Sequence, residues 1–107
     1  MTGVCVAVVD SGIHVNHPHI QRVLNGICID STGREMPDWN DRLGHGTAVA
    51  AAIQDFEPSA ELLAVRVFER SLTASVSSLV AAIEWSVLQG ANLINLSLGV
   101  SEPRHTE

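Results

Sequence analysis

A chain of 107 residues suffices for one small domain or a piece of a larger one, and 46% hydrophobic content suits a packed core rather than a disordered tail. Twelve acidic residues against six basic ones, all arginine, leave a net charge of -6 with no block of one sign, which argues against nucleic acid or an anionic membrane as the main partner. No segment approaches the ~20 apolar residues of a membrane span, and Met1-Thr2-Gly3 enters the first apolar run without a charged leader, so a cytoplasmic location is expected.

The first element is the run Val4 to Val9, a strand meant to be covered on both faces, and it ends in Asp10. A weaker run, Val23 to Ile29, is interrupted by Asn25 and Gly26. Residues 30–44, "DSTGREMPDWNDRLG", form one long polar loop of a length more often functional than not. A helix from about Gly46 to Gln54 carries Ala, Val and Ile without a charge and is expected to be buried on most sides. Leu62 to Val67 is the next buried strand. A second helix, Ser75 to Gln89, puts Val76, Leu79, Val80, Ile83 and Val87 on one stripe, with Thr73 or Ser75 as N-cap and Gly90 as the stop. Asn92 to Leu96 closes the series. Strand, strand, helix, strand, helix, strand is the order of an α/β domain with a mostly parallel sheet and helices on both faces. Cys5 and Cys28 each sit within an apolar stretch and are expected as buried free thiols.

A carboxylate at the tip of an apolar strand loses hydration and needs a hydrogen-bond donor or a positive charge beside it. In an open parallel sheet, strands end and the following helices begin at one carboxyl edge, where ligands bind. That edge gathers Asp10, the helix start Gly44-His45-Gly46-Thr47 and the segment Asn95 to Gly99. His45 is then the partner Asp10 requires, its second ring nitrogen free to act as a base, while the flanking glycines let backbone pack around the ring. Taken singly, "DSG" reads as a strand-to-turn connection and "GHGT" as a helix start. Taken together at one edge, they read as an acid–base pair.

"VAVVDSGIHVNHPHI", "GHGTAVAAAI" and "ANLINLSLG", in that order, resemble the aspartate motif, the histidine motif and the substrate-binding strand of the subtilisin-like serine proteases; "PSAELLAVRVFE" and "LVAAIEWSVLQGANLI" resemble that family's connecting strand and helix. The resemblance runs from Val4 to about Gly99. It implies a truncated subtilisin-like fold, residues 1–107 being part of a peptidase domain, with Asp10 as triad aspartate and His45 as general base. Ser97, Leu98 and Gly99 would form a backbone ladder that pairs with an extended peptide substrate. The sequence departs from the family at Ala48, where a second His is usual, and at Ala51, where a Gly is usual. No "GTS" helix start appears. The nucleophilic serine and the oxyanion-hole asparagine are therefore expected beyond Glu107, and the 107-residue chain alone is expected to be inactive. The implied function is serine endopeptidase, with a peptide or protein substrate and the missing carboxy-terminal half as partners. The alternative is a pseudoprotease or peptide-binding module.

His14, His17 and His19 invite a metal reading, but their spacing matches no zinc pattern and Pro18 stiffens the stretch. Asp38 and Asp41 are read as solvated loop carboxylates. The family allows a structural calcium, no ligand set for one can be assembled here, and the chemistry requires no cofactor. Trp39 either lines the substrate cleft or pins the loop, and Trp85 is expected partly buried.

Overall fold

A computed structural model of the chain describes residues 3–67, 73–97 and 99–100. In chain order it contains β1 (Cys5–Asp10), β2 (Val23–Ile29), β3 (Glu35–Met36), α1 (His45–Phe56), β4 (Glu61–Arg66), β5 (Thr73–Ala74), α2 (Val76–Leu88), β6 (Leu93–Leu96) and β7 (Gly99–Val100). A five-stranded sheet has the order β3-β2-β4-β1-β6, with all neighbours parallel except β3, which runs antiparallel to β2. A separate parallel pair joins β5 to β7.

Two hydrophobic layers explain why β1 is apolar at every position before its aspartate. Cys5, Ala7 and Val9 pack on one face with Leu63, Val65 and the α2 residues Ala82 and Trp85. Val6 and Val8 point the other way, into a cluster with Leu62, Ala64 and Ala50 of α1. Successive side chains alternate across a strand, so helices on both faces demand hydrophobicity at odd and even positions alike. The fold is thus the α/β arrangement expected, a mostly parallel sheet with helices on both faces. Cys5 and Cys28 are buried and not joined in a disulfide; burial first, and then the charge of Glu61, pushes the Cys5 thiol up, away from reactive thiolate.

Four details differ from the sequence reading. First, α1 is buried along one face only, through Gly46, Thr47, Ala50 and Gln54, while Phe56 is 91% exposed. It rests on the sheet with nothing of the described chain over its outer side. Second, α2 turns Ser78, Ala82, Trp85 and Ser86 inward and leaves Val76, Val80 and Val87 exposed. Its hydroxyls are satisfied internally: Ser78 Oγ donates to the Ile29 carbonyl at 3.3 Å and Ser86 Oγ to the Ala82 carbonyl at 2.7 Å. Small, paired side chains therefore form the inner face, at little desolvation cost. Only Leu79 of the expected stripe packs against the core.

Third, the long loop is not wholly irregular. Asp30 Oδ1 accepts from the N–H groups of Thr32 and Arg34, Gly33 takes φ 91°, and the chain turns back as β3 onto the end of β2. Fourth, Asn25 and Gly26 do not interrupt β2: they pair in regular register with Leu63 and Ala64 of β4, and the strand's one shift of register falls just before them, between Val23 and Asn25. Gly26 is needed there because a Cβ would meet the Trp39 ring at 2.3 Å. Trp39 thus lies across β2 and pins the loop. The end caps of α2 follow expectation: Ser75 Oγ accepts from Ser78 N–H, and Gly90 takes φ 90°.

Candidate active site

The carboxyl edge is assembled by register. Asp10 lies opposite Arg66 of β4, and Val9 lies opposite Leu96 of β6, so the end of β1 is flanked by the ends of both neighbours. The helix α1 begins at His45, above the same edge. A Cβ on Gly46 would fall 2.1 Å from the Gly12 carbonyl oxygen, so only glycine lets the helix start come this near the turn that follows Asp10.

This approach brings Asp10 and His45 into contact. The Asp10 side chain is 0% exposed, and both its oxygens lie 2.9 Å from His45 Nδ1. An ionised carboxylate only accepts, so Nδ1 carries the proton and donates it. In the neutral ring, Nε2 is then the unprotonated nitrogen, the tautomer a general base requires. Asp10 Oδ1 also accepts from Ser11 N–H at 2.7 Å. The buried charge is thereby held by donors from two segments. The His45 side chain is 40% exposed, so the pair has a fixed, dry side and an accessible one.

Of the remaining expected site residues, Ser97 follows directly on β6 at this edge, its Oγ accepting from Asn95 Nδ2 at 2.7 Å. Gly99 stands in β7 opposite Thr73. Leu98 lies outside the described residues. The histidine-rich stretch is drawn into local bonding: His14 N–H donates to Thr47 Oγ1, and His17 Nδ1 accepts from His19 N–H. Among the described residues, no group of three or more His, Cys, Asp or Glu side chains is placed to hold a metal ion.

Four further residues, Ser11, Asp41, Thr47 and Arg66, shape the site without having been assigned a role in it from sequence. Ser11 Oγ accepts from Gly46 N–H at 2.9 Å and donates to Asp41 Oδ1 at 2.8 Å. Asp41 is half-buried rather than solvated, and Thr47 and Arg66 complete the setting. Arg66 is buried and donates through Nη1 to the Asp38 carbonyl at 3.0 Å, which ties the loop to β4. Partial burial pushes the Asp41 carboxyl up, but hydrogen bonds from the Thr47 hydroxyl and N–H, Gly44 N–H and the Ser11 hydroxyl outweigh it and hold the group below its ordinary range. The available signal was position: an acidic residue in the turn before a helix start is an ordinary N-terminal partner.

The subtilase family model matches residues 1–107. Among curated proteins, the chain is 37% identical to a thermostable alkaline protease of Halalkalibacterium halodurans, over 91% of this chain and 28% of that protein. It is 39% identical to Subtilisin Savinase of Lederbergia lenta, over 98% of this chain and 40% of that protein. It is also 34% identical to the human membrane-bound transcription factor site-1 protease, over 88% of this chain and 9% of that protein. The chain therefore spans well under half the length of these relatives.

Proposed function

The chain belongs to the subtilase family, and from that premise we propose that residues 1–107 are the front part of a serine endopeptidase domain whose nucleophilic serine follows Glu107 in a longer chain. The observation that carries this reading is the 2.9 Å pairing of His45 Nδ1 with a fully buried Asp10 carboxylate. In this mechanism Asp10 keeps the Nδ1–H tautomer and stabilises the imidazolium that forms. His45 Nε2 takes the proton of the serine hydroxyl as its oxygen attacks the peptide carbonyl, then returns it to the leaving amine nitrogen. Water repeats the cycle to release the acyl group. No cofactor enters these steps.

Ser97 to Gly99 serve in this reading as the edge that an extended peptide joins by main-chain hydrogen bonds. A further observation supports a missing second half. An apolar groove of about 560 Å³ runs between α1 and the sheet, lined by Val6, Val49, Ile53, Phe56 and Leu93. Such a surface is expected to be covered by more of the domain.

Expression of the chain together with its downstream sequence tests the reading. The extended protein is expected to hydrolyse a peptide amide, and His45→Ala to abolish turnover while leaving the circular dichroism spectrum unchanged. Full turnover by the His45→Ala protein would overturn the assignment. A folded extended protein with no hydrolysis would favour the non-catalytic peptide-binding alternative.

A further inference from the structure

The N-cap of α1 is Gly44, in the left-handed region at φ 89°, and it has no side chain with which to cap the helix that carries His45. A helix start leaves its first backbone N–H groups without intrahelical partners. Here residues from elsewhere supply them. Gly46 N–H, at the second helical position, donates to Ser11 Oγ at 2.9 Å, and Thr47 N–H, at the third, donates to Asp41 Oδ2 at 2.9 Å. Asp41 Oδ2 also accepts from Thr47 Oγ1 at 2.6 Å. Its other oxygen accepts from Leu43 N–H at 2.9 Å, Gly44 N–H at 2.8 Å and Ser11 Oγ at 2.8 Å.

One carboxylate thus binds the turn before the helix, the first turn of the helix and Ser11 at once. Ser11 N–H in turn donates to Asp10 Oδ1 at 2.7 Å. Asp41 and Asp10 are therefore bridged through a single residue, and His45 sits between the two anchored points. The Thr47 hydroxyl extends the same network to His14 N–H at 2.9 Å, so the turn after β1 is held as well.

The geometry points to Asp41 as a positioning residue for the pair: it replaces the missing helix cap and sets the His45 ring where Nδ1 meets Asp10. The inference rests on the proposed roles of Asp10 and His45. Asp41 touches neither a substrate nor a reacting atom and acts through the backbone that carries the imidazole. A neutral amide fits the site in part only. Asn at position 41 keeps one accepting oxygen, but its NH₂ would face either Thr47 N–H or the N–H groups of Leu43 and Gly44.

Long-range ¹H–¹⁵N correlation of the imidazole nitrogens, on the 107-residue chain at a pH where the rings are neutral, reads the tautomer of His45 directly. In the wild-type chain His45 is expected to show the Nδ1–H form, and Asp10→Asn to shift it toward the pattern of His45 in the urea-unfolded chain. Asp41→Ala is expected to produce that same shift, and Asp41→Asn a partial one, in protein whose far-ultraviolet circular dichroism still shows a fold. Ser75→Ala, which weakens the cap of α2, should leave the tautomer untouched. A residue that merely stabilised the fold would lower the unfolding midpoint without moving the tautomer of folded molecules. Should Asp41→Ala fail to fold, Asp41→Asn decides. Wild-type imidazole shifts in the folded Asp41 variants would overturn the positioning role, whereas wild-type shifts in Asp10→Asn would overturn the pairing on which it rests.

Discussion

Asp10 shows how far a single residue can be interpreted from sequence. A carboxylate closing an apolar strand is costly unless donors surround it, and the residue able to help, His45, stands at the other motif of the same sheet edge. The structure joins them at 2.9 Å. In a complete enzyme, Asp10→Asn is expected to preserve folding and lower kcat about 10⁴-fold, the loss that follows when the aspartate of a Ser-His-Asp triad becomes asparagine; steady-state kinetics with a peptide substrate check this, and near-normal turnover would remove Asp10 from the mechanism. Gly46 was legible as a glycine that lets backbone pack close to the ring, although which backbone was not. Its necessity lies in the Gly12 carbonyl, 2.1 Å from where a Cβ would stand, a contact between segments far apart in sequence. Gly46→Ala must displace backbone on one side or the other, and a loss of about 1–3 kcal/mol is expected from such overpacking. Urea denaturation measures it.

At the scale of elements, strand patterns translated well because both faces of β1 and β4 are covered and period-two arguments then reduce to continuous hydrophobicity. The helices translated less well. Apart from Leu79, the apolar stripe of α2 does not pack on the core, and the inner face proved to be built from serine and alanine around Trp85. Hydrophobicity cannot identify such a face, since what makes it suitable is that each buried hydroxyl finds a carbonyl. The cap of α2 was legible, because Ser75 bonds within its own turn; Ser75→Ala is expected to cost about 1 kcal/mol in a denaturation experiment. The capping of α1 was not, because Ser11 reaches it from the end of β1 and Asp41 looked like any other loop carboxylate. Asp41 is held below its ordinary value of 3.8 in the folded chain. Its stabilising effect is therefore complete above that pH and is lost as pH falls through the lower folded value. Asp41→Asn is expected to cost about 1–3 kcal/mol at neutral pH, through the weakened pairing of the backbone donors it now accepts from, and to flatten this part of the acid dependence. Unfolding midpoints at neutral and acidic pH, compared between the two proteins, supply the test.

For the molecule as a whole, the order of elements sufficed to give the layered α/β architecture and the expectation of exposed apolar sheet and helix surface, whereas the residues that form that surface are seen only in the structure. Leu93 of β6 and Phe56 at the end of α1 line the groove and stand open to solvent, and Leu96 of β6 is exposed as well. The 107-residue chain is accordingly expected to self-associate, and Phe56→Ser with Leu93→Ser to reduce that association with little effect on the core; sedimentation velocity distinguishes this from a chain that is monomeric at every concentration. The same surfaces, the family membership and the oriented Asp10–His45 pair converge on one account, in which these residues prepare a base for a serine that the rest of the domain provides. An activity-based fluorophosphonate probe, which labels activated serines, tests it most directly when applied to the 107-residue chain and to the chain extended through its downstream sequence. The account predicts no labelling of the first and labelling of the second that disappears with His45→Ala; labelling of the 107-residue chain, or of the His45→Ala extended chain, would contradict it.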